Sequence, residues 1–198
     1  PRPAHTRTLL IRLTAANFLS YLRLAAIPAL LTLAALNLPN IFIWLLAAAW
    51  ATDAIDGPLA RMLGQESDRG ARLDSLADLG LMLAIPLGVA WLWPDLLMRE
   101  ALSVVFLGFA LAVPRAHAFA KFRQLPSYHT WLAKGLAVYM AVAVLVLLIW
   151  DWPWLFRVGA LLMLVEAAEE IAITRMLDSW RADIPSWWLL RLERAARV

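Results

Sequence analysis

Cysteine is absent from this chain, so disulfides and thiolate metal sites are excluded, and nothing in it marks an oxidising or reducing compartment. Histidine is scarce: the three copies are scattered, and His129 reads as a hydrogen-bonded structural residue rather than a metal ligand. Charge is thin as well, at 17% of residues against 63% hydrophobic and a mean hydropathy of +0.69, which is too apolar for an ordinary soluble domain of this length. No alternation of strands with helices is present, which excludes a nucleotide site of the doubly wound βαβ kind. There is no tandem repeat, no low-complexity linker and no connection long enough for a separate soluble domain. The reading is therefore one membrane domain over 1–198, with no cleavable signal peptide and no nucleic-acid partner expected.

What the chain does have is tryptophan and long apolar runs. Eleven Trp against three Tyr suit a membrane protein with interfacial anchors. Six apolar segments, at about 15–36, 40–60, 72–93, 100–120, 130–150 and 153–177, approach the length of roughly 20 residues that a helix needs to span a bilayer. Breakers part them at Asn37-Leu38-Pro39-Asn40, Trp93-Pro94-Asp95, Leu125-Pro126-Ser127 and Asp151-Trp152-Pro153. Pro28, Pro86 and Pro114 fall inside the segments and are expected to kink them. Residues 2–13 mix Arg2, His5, Arg7 and Arg12 with leucines, which suits a helix lying in the membrane interface; the tail from Ile184 reads the same way. The expected fold is all-α and integral to the membrane, with six transmembrane helices behind an N-terminal interfacial amphipathic helix.

Charge orients that fold. Arg61, Arg69, Arg72, Arg115, Lys121, Arg123, Arg181, Arg191, Arg194 and Arg197 gather on one side, with Arg99 and Arg157 on the other. The positive-inside rule then places both termini on the cytoplasmic side, in the inner membrane if the cell is bacterial.

The connection between the second and third segments carries the chemistry. It reads Asp53-x2-Asp56-Gly57-x2-Ala60-Arg61-x8-Gly70-x3-Asp74-x3-Asp78. If both ends are helical, the three-residue spacing of Asp53 and Asp56 and the four-residue spacing of Asp74 and Asp78 each put a pair on one helix face. Four clustered carboxylates repel one another in a low-dielectric site. Divalent cations relieve that repulsion, and Mg²⁺ or Mn²⁺ prefers oxygen ligands. Pro58 directly after Gly57 predicts a kink or a restarted turn.

This stretch resembles, at every fixed position, the signature of the CDP-alcohol phosphatidyltransferases, and a run at Asn17-Phe18-Leu19-Ser20-Tyr21-Leu22-Arg23 resembles the opening of that family's first helix. The resemblance implies transfer of a phosphatidyl-type group from a CDP-linked lipid such as CDP-diacylglycerol to the hydroxyl of an acceptor alcohol, with release of CMP. It implies Asp53, Asp56 and Asp74 as metal ligands and Asp78 as general base that also touches the second of two ions. It implies Gly57 and Arg61, and more weakly Ser67, as binders of the CDP moiety. Asn17 either lines that pocket or satisfies backbone at a helix start. Family members are usually homodimers, so a homodimer through spans three to six is expected.

Arg115, His117, Lys121, Arg123, His129 and Lys134 either bind an anionic group of the acceptor or serve topology and lipid headgroups. Lys134, a turn inside the fifth segment, is the strongest single candidate, with Arg115 and Lys121 beside it. Glu166, Glu169 and Glu170 share a face of the sixth segment and are expected to pair with Arg23 or Lys134. Ser75 and Leu79 replace the Pro and Lys frequent in members that use glycerol 3-phosphate, while the basic residues favour a phosphorylated acceptor such as glycerol 3-phosphate. Inositol phosphate, serine and phosphatidylglycerol stay open. From another class, a cation-coupled transporter also uses clustered intramembrane acids, but has no need of Gly57, Ala60, Arg61 and Gly70 in register.

Overall fold

The computed structural model describes the backbone of residues 15–62, 68–124, 126, 128 and 130–195, and within these the side chains over 20–53, at 73, and from 76 onwards. Among the described residues every regular element is an α-helix, eight in all. The chain divides into two compact units, 1–92 and 93–198, and each is described in its own right.

The first unit holds α1 (Ala15–Ala35), α2 (Pro39–Met62) and α3 (Asp68–Leu92), with α1 packed on both others. Leucine and alanine dominate α1, and both favour the helix. Its end is set by local chemistry. Asn37 adopts a left-handed φ of 54°, its N–H reaches Ala34 O at 3.0 Å, and Leu38 N–H reaches Leu33 O at 3.0 Å. This pair of bonds closes the last carbonyls of α1 as a Schellman motif with Asn in the left-handed place. Pro39 then opens α2, where its missing N–H is no loss. Phe42 and Leu46 of α2, Leu30 of α1 and Ala77 of α3 are fully buried. Inside a bilayer such a contact stabilises through close packing rather than through removal from water. Gly88 makes the approach possible, because a Cβ there would stand 2.5 Å from Phe42 Cε2.

The second unit holds α4 (Pro94–Arg99), α5 (Ala101–Phe122), α6 (Trp131–Trp150), α7 (Trp154–Met176) and α8 (Trp187–Ala195), with α5, α6 and α8 all packed on α7. Thr130 caps α6 by accepting the Ala133 N–H at 3.1 Å. At the start of α5, buried Glu100 takes two bonds from Arg157 of α7, from Nε at 2.9 Å and Nη2 at 2.8 Å. At the far end of α7, Lys121 donates to the carbonyls of Thr174, Arg175 and Leu177 at 2.9, 3.2 and 2.7 Å. An ammonium has three N–H donors, so this lysine closes the terminus of α7. Beside it Tyr128, Ile173, Leu177, Ile184 and Leu190 form a small core that fastens the tail. Trp187 N–H, at the first residue of α8, donates to Glu169 Oε1 at 3.0 Å.

All six segments expected to span are helical, and α8 lies where an amphipathic tail helix is expected. Among the described residues two helices, α5 and α6, are long and apolar enough to cross a membrane, with shorter apolar stretches at Ser20–Ala35 and Leu76–Leu92. Few residues of α5 or α6 are buried, and Trp131 and Trp150 stand at the two ends of α6. Pro28, Pro86 and Pro114 stand within helices. The helix also runs without interruption across Gly57 and Pro58, so the turn does not restart there. The residue before a proline only leans away from helix, and the apolar run over-rides that preference. Short α4 was not expected: Trp93-Pro94-Asp95 reads as a breaker, yet Pro94 takes the first helical position, where proline is tolerated. The interfacial helix expected over 2–13 lies outside the described residues.

Candidate active site

The site begins with three helices of the first unit. α2 carries Asp53 and Asp56 towards its C-terminal end, followed by Gly57 and Arg61; α3 carries Gly70, Asp74 and Asp78 over its first turns. The expected helical registers therefore hold: Asp56 lies one turn from Asp53, and Asp74 one turn from Asp78. The side chains of Asn17, Asp56, Arg61 and Asp74, and the whole of Ser67, lie outside the described residues; Asn17 is the third residue of α1.

Asp53 and Asp78 are brought together by a residue from the third helix. Arg23 of α1 points inward with its side chain wholly buried, and its Nη1 donates both to Asp53 Oδ1 and, at 2.8 Å, to Asp78 Oδ1. The two carboxylates keep about half of their side-chain surface open, at 44% and 56%. A permanently charged group without water requires anionic partners, and two carboxylates from two further helices supply them. From the sequence, Arg23 closes the run that resembles the family's first helix and is expected to pair with acids of the sixth segment; its bonds to Asp53 and Asp78 were not foreseen. The available signal is that Arg23 closes the same short run as Asn17 and Ser20, and a charge inside an apolar run requires a partner.

This junction also tests whether a divalent cation fits. Two carboxylate oxygens from different helices already converge on one positively charged atom, and the acids retain open surface. Asp56 and Asp74 follow one turn away on the same two helices. Oxygen donors of this charge suit Mg²⁺ or Mn²⁺.

The basic residues of the second unit have other engagements. Arg115 Nη1 donates to Leu111 O at 2.6 Å, Lys121 closes α7, and Lys134 lies 5.9 Å from the centre of the Trp131 ring. Glu166 is buried, with Arg115 the cation in its electrostatic reach. Glu169 holds the start of α8, in line with a structural role for that acid.

Residues 13–172, the larger part of the chain and the whole of the aspartate stretch, match the family model of the CDP-alcohol phosphatidyltransferases. The chain belongs to that family. It is thus an integral membrane protein of a metal-dependent transferase family of phospholipid biosynthesis, and the apolar helices α5 and α6 agree with this. A CDP-alcohol phosphatidyltransferase breaks the pyrophosphate of a CDP-linked donor. No curated protein and no solved structure matches the chain.

Proposed function

We propose that this phosphatidyltransferase moves the phosphatidyl group of a CDP-linked lipid such as CDP-diacylglycerol onto the hydroxyl of glycerol 3-phosphate, releasing CMP. The observation that carries the reading is the convergence of Asp53 and Asp78 on one cationic atom, within a stretch that matches the family throughout. Asp53, Asp56, Asp74 and Asp78 hold two divalent cations, Mg²⁺ or Mn²⁺. When bound, these ions supply the positive charge that draws off electron density from both ends of an in-line phosphoryl displacement. Asp78, in its ionised form, accepts the proton of the attacking hydroxyl. Arg61 offers a fixed positive charge to the donor's phosphates, Gly57 leaves room for the nucleotide, and Ser67 and Asn17 contribute polar contacts to the CDP moiety. Arg115 and Lys134 are the candidates for an anionic acceptor group; Lys121, expected from the sequence to join them, has its three N–H donors on the carbonyls that end α7.

The same reading has six helices crossing the bilayer, both termini and the aspartates on the cytoplasmic side, and a homodimer of single-domain chains. The excess of Lys and Arg at alternate connections supports the orientation, and the family match across both units supports the single domain.

The test is CMP release by purified protein in detergent, with CDP-diacylglycerol, Mn²⁺ or Mg²⁺, and glycerol 3-phosphate, inositol phosphate, inositol, serine or phosphatidylglycerol in turn. Asp78→Asn is expected to lower the rate by about 100-fold or more, as loss of a general base does. Release with serine but not with glycerol 3-phosphate would reassign the acceptor. Full activity in Asp78→Asn would remove Asp78 from the mechanism.

A further inference from the structure

The metal-site reading assigns work to the four aspartates and none to the cation between two of them. We propose that Arg23 is a positioning residue for the metal site: it stays behind Asp53 and Asp78 and holds them in the arrangement that receives the divalent cation. The inference rests on the metal-binding reading above.

Three observations carry it. Arg23 is wholly buried and lies on α1, which packs on both helices that bear the acids. One nitrogen, Nη1, serves both carboxylates, and it carries two hydrogens, so both are spent on this bridge. The acids themselves stay about half open, at 44% and 56% of their side chains. Arg23 therefore approaches them from the protein side, and about half of each acid's side chain stays open to solvent. A guanidinium in this place has no solvent route by which to swing away, so it acts from behind as hydrogen-bonding partners of metal ligands do elsewhere. Without it Asp53 and Asp78 repel across the α2–α3 junction, and the site must be assembled anew for each cation that binds.

The sign of the effect separates this role from plain charge. Removing a positive charge beside a cation site tightens cation binding if nothing else changes. Removing a residue that holds the ligands in place weakens it, and losses of roughly 10- to 100-fold are usual for such partners. Binding of MnCl₂ to the purified, metal-stripped full chain in detergent, followed by electron paramagnetic resonance of the free ion, reads this directly. Arg23→Gln is expected to weaken Mn²⁺ binding by about 10- to 100-fold. Arg23→Lys, whose single ammonium reaches the two carboxylates less well, is expected to recover part of it and stay several-fold weaker than the wild type, while Arg99→Gln, which breaks the bond to Asp151 in the other unit, leaves it unchanged.

A purely structural Arg23 would lower the melting temperature with and without Mn²⁺ by equal amounts and leave Mn²⁺ affinity as in the wild type; that result overturns the inference. Tighter binding overturns it too, since Arg23 would then oppose the cation. If Arg23→Gln does not fold, Arg23→Lys carries the test, with a several-fold weaker affinity expected and an unchanged one decisive against. Absence of Mn²⁺ binding in the wild type would instead remove the metal-site reading on which the inference stands.

Discussion

At the scale of single residues, the second unit places an ionisable group in its small core. Thr174 Oγ1 donates to Glu170 O at 2.9 Å, so its one hydrogen is spent, and the 2.8 Å contact with Tyr128 must have the phenol as donor. Tyr128→Phe is expected to destabilise by about 1 kcal/mol at neutral pH, measured as thermal unfolding in detergent. Burial, more than any neighbouring charge, raises the Tyr128 phenol above its usual value of 10.0. Its folded-state value thus exceeds its unfolded one, and the stability it contributes is complete below about pH 10 and lost as pH rises further. The difference in melting temperature between wild type and Tyr128→Phe should be flat up to about pH 9 and shrink above 10. A difference that stays constant to pH 11 would show that the phenol titrates as it does in water.

At the scale of elements, a glycine on one helix makes room for a large side chain of another. A Cβ on Gly88 would meet Phe42 Cε2 at 2.5 Å and Cζ at 2.6 Å, and that ring is fully buried. Gly88→Ala is expected to cost about 1–3 kcal/mol by overpacking the α2–α3 contact. Gly108 on α5 meets nothing within 4 Å among the described residues, so Gly108→Ala should be neutral or gain up to about 1 kcal/mol from helix propensity. Thermal melts of the two variants side by side check both, and equal shifts would contradict the packing. The helices themselves were legible in the sequence, since each apolar run is bounded by Pro, Asn or Asp at a local terminus. α4 was not, because proline starts a short helix with the same residues that end a long one. Of the aspartate stretch, the two helical registers were legible; the bridge through Arg23 was not, since it joins residues 30 and 55 positions apart.

At the scale of the whole molecule, membrane residence rests on exposed apolar faces. Leu102, Val105, Phe109 and Val113 form an exposed stripe on α5, and Val138, Val142 and Ile149 another on α6. Such surface is stable against lipid and not against water. The protein should therefore stay in the membrane fraction after a high-salt or carbonate wash and leave it only with detergent. The enzyme reading adds that a chelator abolishes CMP release, that excess Mn²⁺ restores it, and that the metal-stripped protein melts at a lower temperature. Retained activity after complete chelation would refute the role of the aspartates as metal ligands.

By itself the sequence determined the all-α class, the rough bounds of the long helices and of α8, and the family to which the aspartate stretch belongs. These are written in spacings of three and four residues and in breakers beside them, so neighbours along the chain suffice. Only the tertiary structure decided that Arg23 stands behind Asp53 and Asp78, that Lys121 closes α7, and that Glu169 holds the start of α8. Each of these contacts depends on which faces of the helices meet. Where almost every face is apolar, periodicity carries no mark of the face that packs, and the partners of the few charges appear only once the helices are in contact.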